Sequence, residues 1–202
     1  MHALDTPWKA FNEIRRIVFT PFYRLYFALH GVAWQPGWRM FGLPLIQKHR
    51  GSEIHIGSYL QMRNWFGSNP LGVNHRSILA TWSADAEIGI GNYVGMTGAS
   101  IVAESRIIIG DHVRIGANST IVDTDFHPLA AEERDIDPRA GNTREILIAD
   151  HVFIGMNVLV LKGSSIGKGS VIGAGSVVTG HVPEGVIAAG NPARVIREIS
   201  DG

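Results

Sequence analysis

The most regular pattern in the chain is an aliphatic residue at every sixth position of its last third. The residues that keep this step are Ile148, Ile154, Val160, Ile166, Ile172 and Val178. An α-helix repeats its apolar positions every three to four residues and a strand every two, so a sustained period of six fits neither. Glycine and serine gather after the aliphatic positions, where tight corners need small residues. The pattern predicts a solenoid of the β-helix type, in which short parallel strands stack coil upon coil.

The same step continues towards the N-terminus, and its breaks predict loops. Six residues separate Ile109, Ile115 and Ile121, and again Ile90, Met96 and Val102. The corner between Val102 and Ile109 is expected to carry one extra residue. We assign the β-helix to residues 51–190, with breaks near 65–77 and at an extruded loop over 123–145. Insertions in a solenoid become loops on one face, and such loops commonly carry function.

Residues 1–50 form a different, aromatic and basic segment that is predicted to be helical. Apolar residues recur at helical spacing over 8–34, and Pro21 is expected to end or kink the helix, leaving two short helices. Arg24 and Pro21 interrupt the span before it reaches the roughly 20 apolar residues that a bilayer crossing needs. Two hypotheses remain. The segment packs on the β-helix or on another subunit and covers a sheet edge, or residues 8–40 rest on a membrane surface, with Trp34 and Trp38 as anchors.

Composition limits the class of protein. The 202 residues predict one domain, and 18 basic residues balance 18 acidic ones, which argues against a nucleic-acid partner. The absence of cysteine excludes disulfides, a thiolate nucleophile and a cysteine zinc site. The N-terminus lacks the features of a signal peptide, so a cytoplasmic location is expected, at the inner face of the membrane if the second hypothesis holds. Residues 191–202 are assigned to a short C-terminal segment.

The loop over 123–145 contains the strongest candidate for catalysis. His127 lies at its root, where the rigid coils would fix an imidazole able to accept a proton near neutral pH. Asp123 and Asp125 flank it, and either carboxylate could orient the ring. By contrast, His112 and His151 occupy equivalent places in the repeat and are predicted to lie at solvent-facing corners. From these residues alone, His127 fits a general base and an ordinary surface histidine equally well.

Four motifs between Ile107 and Ile199 resemble a known family. They are D-T-D-F-H-P-L, I-L-I-A-D-H-V-F-I-G, V-I-G-A-G-S-V-V-T and A-A-G-N-P-A-R-V-I-R-E-I. Together they look like the hexapeptide-repeat acetyltransferases of the maltose and galactoside O-acetyltransferase type. The aromatic and basic N-terminal segment is closer in character to the O-acetyltransferases of surface-polysaccharide biosynthesis. The resemblance implies an all-β fold, a left-handed parallel β-helix of triangular section, and a homotrimer.

The same resemblance implies direct transfer of acetyl from acetyl-CoA to a hydroxyl of a sugar or glycan precursor. His127 would act as general base in a ternary complex, a backbone N–H of Gly155 or Met156 would stabilise the oxyanion, and no metal is required. The residues implied in acetyl-CoA binding are Gly155, Met156, Ala174, Thr179, Arg194 and Arg197.

On the acceptor side the resemblance implies Thr97 and Glu104. The family's sugar-binding asparagine falls near Met96–Thr97, and this departure favours a nucleotide sugar or a lipid-linked glycan precursor over a simple maltose or galactoside.

Three alternatives stay open. An N-acetyltransferase of an amino sugar would use the same coils. A γ-class carbonic anhydrase shares the β-helix but needs three histidines around zinc, and its N-x-Q-D signature is missing here. The third alternative is a non-catalytic β-helix used as a scaffold.

Overall fold

The structure is a computed structural model that describes residues 5–199. Helix α1 (Pro7–Leu29) comes first, and a 3-10 turn (Phe66–Ser68) and helix α2 (Ala131–Ile136) lie in the two loops that interrupt the strands. Every other element is a short strand. The two interruptions lie where the breaks in the six-residue step predict them.

The strands form three sheets, and each turn of the chain contributes one strand to each sheet. Sheet 1 contains β1 (Arg39–Phe41), β4 (Gln61–Arg63), β7 (Gly95–Thr97), β10 (Arg114–Ile115), β13 (Phe153–Ile154), β16 (Val171–Ile172), β19 (Val186–Gly190) and β20 (Ala193–Glu198). Sheet 2 contains β2 (Leu45–Lys48), β5 (Ile78–Thr81), β8 (Ser100–Ala103), β11 (Thr120–Val122), β14 (Leu159–Leu161) and β17 (Val177–Val178). Sheet 3 contains β3 (Glu53–Ile56), β6 (Glu87–Ile90), β9 (Arg106–Ile109), β12 (Ile146–Ile148), β15 (Ser165–Ile166) and β18 (His181–Val182). Neighbours in each sheet are parallel, except that β20 runs antiparallel to β19.

Inward-facing aliphatic side chains fill the coil. All six residues of the opening pattern are at most 2% exposed and belong to one continuous core. Stacked strands bring like residues together, for example Ile115 on Ile154 in sheet 1 and Ile121 on Val160 in sheet 2. Burial of each such side chain contributes roughly 1.5 to 3 kcal/mol. The six-residue step is therefore the sequence signature of this core.

One step of the pattern was wrong. Val102 was expected to face inward, but Ile101 does so at 0% exposed, and it pairs with Ile121. The corner that precedes it is shortened by Gly98, whose φ of +50° allows a tight turn. The next corner then carries the extra residues before Ile109.

The corners align into three edges along the coil. The first edge joins sheet 1 to sheet 2, the second joins sheet 2 to sheet 3, and the third joins sheet 3 to sheet 1 of the next coil. The third edge carries a stack of four rings, those of Tyr59, Tyr93, His112 and His151, with centroids 4.5 to 4.8 Å apart. His112 and His151 thus lie at equivalent corners of successive coils, as predicted.

The N-terminal segment differs from its prediction. A single helix, α1, runs through Pro21 instead of two short helices. Proline removes one helical donor, and the carbonyl that loses it belongs to Ile17, a residue that is 61% exposed, so water can replace the bond. Within residues 5–199, no helix is long and apolar enough to cross a membrane.

Helix α1 covers the open end of the first coil. Tyr23 and Phe27 are at most 4% exposed and join the core with Val32 and Trp38. Trp38 donates its indole N–H to the Gly57 carbonyl at 2.7 Å, so it is a core residue and not the membrane anchor of the second hypothesis. The first strand of the coil, β1, begins at Arg39, before the expected start at residue 51.

Candidate active site

His127 lies at the narrow neck of the long loop, on the second edge. The two arms of the neck are held together by backbone hydrogen bonds, from the Arg144 N–H to the Asp123 carbonyl at 2.9 Å and from the Asp125 N–H to the Asn142 carbonyl at 3.1 Å. Thr124 and Thr143 add an antiparallel bridge. The loop is therefore closed at its base and anchored on β11 and β12, which are both in the core.

The His127 ring is exposed and has one defined partner. Its Nδ1 is hydrogen-bonded to the carbonyl oxygen of Pro138, on the far arm of the loop. A carbonyl can only accept, so Nδ1 carries the proton and Nε2 of the neutral ring presents its lone pair. This is the tautomer that a general base requires.

Two neighbours fix the backbone that carries His127. Phe126 adopts a left-handed conformation, with φ of 61°, and its ring meets that of Trp82 edge to face at 5.4 Å. Gly141 lies against this turn: a Cβ there would come within 2.6 Å of the Phe126 carbonyl carbon and 2.7 Å of the His127 nitrogen. Only glycine fits at position 141 without moving His127.

The expected orienting carboxylates face elsewhere. Asp123 is 0% exposed and accepts the backbone N–H groups of Glu104, Ser105 and Arg106 at 2.7 to 2.8 Å. Burial raises the pKa of Asp123, and the three donors oppose that rise by stabilising the carboxylate. Asp125 pairs with Lys162 at 2.6 Å. The partner of the imidazole is thus the Pro138 carbonyl, which no sequence pattern identifies.

Glu104, predicted for the acceptor side, does lie beside the histidine turn. Its carboxylate accepts the hydroxyl of Thr124, whose oxygen also accepts the Phe126 N–H at 3.0 Å. Thr179 occupies the same edge, following β17. The second edge therefore carries the candidate base, one predicted acceptor residue and one predicted coenzyme residue.

The remaining predicted residues lie on the first edge. Thr97 ends β7, and Met156 and Ala174 follow β13 and β16, so the stacked coils place all three along one line. Thr97 is 7% exposed and accepts a hydrogen bond from Asn69 at 3.2 Å. Gly155 lies under Ala174, and its N–H donates to the Ile172 carbonyl at 2.8 Å, which removes it as the oxyanion donor.

Arg194 and Arg197 lie on β20 with exposed side chains. Three residues apart on a regular strand, they would face opposite sides. A bulge in the pairing with β19 changes this, because Arg194 pairs with Ala189 and Arg197 with Ile187, two residues that share a face. Both guanidinium groups therefore lie on the outer side of sheet 1, and Arg194 lies near its first edge.

Within one chain, the predicted site is divided by sheet 2. His127, Glu104 and Thr179 lie along one side of that sheet, and Thr97, Met156, Ala174 and Arg194 lie along the other. Among residues 5–199, no cluster of three or more His, Cys, Asp or Glu side chains is arranged to hold a metal ion.

Comparison with known proteins confirms the resemblance. Residues 145–180 match the bacterial transferase hexapeptide family (six repeats), and residues 106–122 match the hexapeptide repeat of succinyl-transferase. The chain is 42% identical over 123 residues to galactoside O-acetyltransferase of Escherichia coli, covering 59% of this chain and 58% of that protein. It is 39% identical over 117 residues to that of Lactococcus lactis, covering 58% and 55%. The chain thus spans little more than half the length of these relatives.

Solved structures agree on the fold. A galactoside acetyltransferase in complex with coenzyme A superposes with a TM-score of 0.55 at 32% identity, covering 83% of this chain and 66% of that one. AntD, an N-acyltransferase from Bacillus cereus, gives 0.64 at 16% identity over 84% and 83%, which bears on the fold alone. The fold is the left-handed parallel β-helix of hexapeptide-repeat acetyltransferases, with a helix at its N-terminus, as the family resemblance implied.

Proposed function

We propose that this protein is an acetyl-CoA-dependent O-acetyltransferase that acts on a hydroxyl of a sugar or glycan precursor. The observation that carries the proposal is the His127 ring, held through Nδ1 so that Nε2 can accept a proton, on the rigid edge of a hexapeptide coil. Similarity to galactoside O-acetyltransferases over more than half of this chain supports the reaction class.

The reaction would proceed in one ternary complex. Nε2 of His127 removes the proton of the acceptor hydroxyl as its oxygen attacks the thioester carbonyl. The tetrahedral oxyanion collapses, the carbon–sulfur bond breaks, and the imidazolium returns the proton to the departing thiolate. The products are an acetyl ester and free coenzyme A. The chain has no cysteine that could carry the acetyl group as a thioester. This supports direct transfer over a route through a covalent acetyl-enzyme intermediate.

The division of the site between two edges supports a homotrimer with shared sites. In a threefold assembly with sheet 2 of each prism turned towards the axis, the second edge of one subunit would face the first edge of its neighbour. His127 and Glu104 of one subunit would then meet Met156, Ala174 and Arg194 of the next. Acetyl-CoA would lie along the first edge, with its phosphates towards Arg194 and Arg197 and its thioester towards His127.

An acceptor panel tests the activity. Incubation with acetyl-CoA and mono-, di- and nucleotide sugars, followed by thiol release and product masses, is expected to give acetyl esters. Amino sugars belong in the panel because one relative is named for transfer to nitrogen, although to a different acceptor: 2,3,4,5-tetrahydropyridine-2,6-dicarboxylate N-acetyltransferase of Staphylococcus aureus is 33% identical over 46% of this chain. An amide product would favour that second candidate, and no turnover with any acceptor would contradict both.

Subunit mixing tests the shared site. Subunits carrying His127→Ala and subunits carrying Ala174→Trp, which blocks the first edge, are each expected to be inactive. If each site takes one residue from each of two subunits, random co-assembly restores about a quarter of the wild-type activity. If both residues act within one subunit, mixing restores none.

We also propose that α1 rests on an anionic membrane surface. Its side away from the core is apolar and exposed along the whole helix, and its members are Phe11, Ile14, Ile17, Val18, Phe22, Leu25 and Leu29. The helix carries four basic residues and one acidic residue, Glu13, which is paired with Arg16 and Arg39. An apolar face with basic flanks matches a helix lying in the headgroup region.

Vesicle sedimentation tests this contact. The protein is expected to pellet with anionic vesicles at low salt and to lose binding at least tenfold in Val18→Glu and Leu25→Glu, while Leu147→Glu, an exposed apolar site on sheet 3, binds normally. Sedimentation velocity of the same variants tests the other hypothesis, in which α1 contacts another subunit. Loss of the oligomer in Leu25→Glu, with no vesicle binding by the wild type, would assign this face to a subunit contact.

A further inference from the structure

A cavity of about 1000 Å³ lies between α1 and the loop that follows β4, and the site described above does not use it. Its lining includes Arg39 and Arg63, on the neighbouring strands β1 and β4. Arg63 is paired in turn with Thr97 on β7, the residue assigned to the acceptor. Asn69, in the wall of the cavity, donates to the Thr97 hydroxyl at 3.2 Å. The cavity therefore opens next to the acceptor end of the first edge.

The charge of the cavity is positive. Lys9, Arg39 and Arg63 line it with a single carboxylate, that of Glu13. Glu13 is already shared between Arg39 and Arg16. Arg63 is half-buried, stacks on Phe41 at 4.7 Å and donates to the Ser68 carbonyl. Among the residues that the structure describes, no carboxylate forms an ion pair with it.

Burial and the nearby charge of Arg39 lower the pKa of the Arg63 guanidinium. Two guanidinium groups that repel each other in a partly dry cavity would be stabilised by a bound anion. Phosphate oxygens suit them, because the planar fork of arginine donates two parallel hydrogen bonds to such a group.

A buried polar atom points to a ligand with hydroxyl groups as well. Asn12 lines the cavity and is 7% exposed. Its Nδ2 donates to the Gly67 carbonyl at 3.1 Å, but within residues 5–199 its Oδ1 is buried without a donor. Buried acceptors normally have a partner, and rotation of this amide towards the cavity would let a sugar hydroxyl supply one.

We propose that this cavity binds the phosphate or diphosphate group of the acceptor, so that the acetylated sugar is a phosphate-linked one. Arg39 and Arg63 hold the phosphate, and the sugar extends along β4 and β7 towards Thr97. The proposal rests on the proposed acetyl transfer for the identity of the substrate, but the anion site stands on its own contacts. A volume of this size accommodates a ligand of nucleotide-sugar dimensions.

Calorimetry with the protein saturated with coenzyme A tests the proposal without catalysis, since the coenzyme's own phosphates are then already in place. The probes are uridine diphosphate N-acetylglucosamine and neutral N-acetylglucosamine. A second arm uses a polyprenyl-diphosphate-linked saccharide in vesicles, to distinguish a soluble from a lipid-linked source of the phosphate. At least one diphosphate is expected to bind tenfold or more tightly than the neutral sugar, with an affinity that falls as salt rises.

Variants assign the binding to the cavity. Arg63→Gln and Arg39→Gln are expected to weaken diphosphate binding about tenfold or more each, Arg63→Lys less, and Arg50→Gln, at an exposed turn of the first coil, not at all. Coenzyme A affinity should stay constant throughout, which shows that each variant is folded at the temperature of the titration. Equal binding of charged and neutral sugars, loss of diphosphate binding on saturation with coenzyme A, or no effect of Arg63→Gln would each overturn the proposal. Diphosphate binding that depends on Arg63, with no acetyl transfer to any acceptor, would keep the anion site and refute the proposed enzyme.

Discussion

Replacing His127 by alanine is expected to lower kcat of acetyl transfer about 100- to 10,000-fold, the usual contribution of a positioned general base. The ring is exposed and its defined side-chain contact within residues 5–199 is the Pro138 carbonyl, so the melting temperature should change by no more than about 2 °C. Thiol release under saturating acetyl-CoA measures kcat, and a coenzyme A titration shows whether binding survives. A kcat within a factor of two of the wild type would refute the role of His127 in the reaction.

Two companion variants separate the chemistry of the ring from its position. His55→Ala removes an exposed histidine of sheet 3 and should leave kcat unchanged. Gly141→Ala keeps the imidazole but places a methyl group within 2.6 Å of the Phe126–His127 backbone. We expect Gly141→Ala to lower kcat about tenfold or more with little change in KM, because a displacement of the imidazole by about 1 Å greatly slows proton transfer. Normal activity in this variant would mean that the loop tolerates a shift of His127.

The coils were predictable because their core requires a buried aliphatic residue at regular intervals along the sequence. Each strand from β12 to β18 buries one or two aliphatic side chains, so Ile148 to Val178 reveal the repeat directly. The predicted inward-facing residue was wrong at the corner between Met96 and Ile101, which is one residue shorter than the equivalent corners. Gly98 with its positive φ lets Ile101 reach the core, and both Ile101 and Val102 are aliphatic, so their order along the chain does not tell which one faces inward.

Candidate residues for the site could be named from the sequence, but their arrangement could not. A histidine at the root of a loop and two arginines near the end of the repeat are visible in the sequence. Their division between two edges depends on which sheet each strand joins, and the shared face of Arg194 and Arg197 depends on a bulge. The Pro138 carbonyl and the space left by Gly141 are backbone features that residue types do not encode.

The structure of the N-terminal segment was also predictable only in part. Helical spacing of apolar residues predicted α1, whereas proline chemistry predicted a break that does not occur. The aromatic residues at 34 and 38 looked alike in sequence, yet Trp38 is buried and bonded to Gly57 because it closes the end of the first coil. Whether a tryptophan of this segment is buried depends on its distance from the open end of the first coil, and that distance is set by the three-dimensional fold.

Replacing Asp123 by alanine is expected to destabilise the protein by about 3 to 5 kcal/mol, the largest effect on stability among the residues of the site. The substitution leaves the N–H groups of Glu104, Ser105 and Arg106 without the acceptor that the fully buried Asp123 carboxylate supplies. The corner carries Glu104, which holds Thr124 and through it the Phe126 turn. Urea unfolding of wild type and variant measures the difference in the free energy of unfolding.

An aspartate on the third edge serves as a control for the loss of stability. Asp150 accepts one backbone N–H, that of Asp111 at 2.8 Å, and is partly exposed, so Asp150→Ala should cost about 1 kcal/mol. The two variants also decide between two roles for Asp123. If it supports the corner, Asp123→Ala loses stability, and the folded fraction keeps the wild-type pH profile of kcat. If it orients the imidazole, stability is retained and the pH profile shifts. The hydrogen bonds favour the first outcome, because all three go to the backbone of the preceding coil.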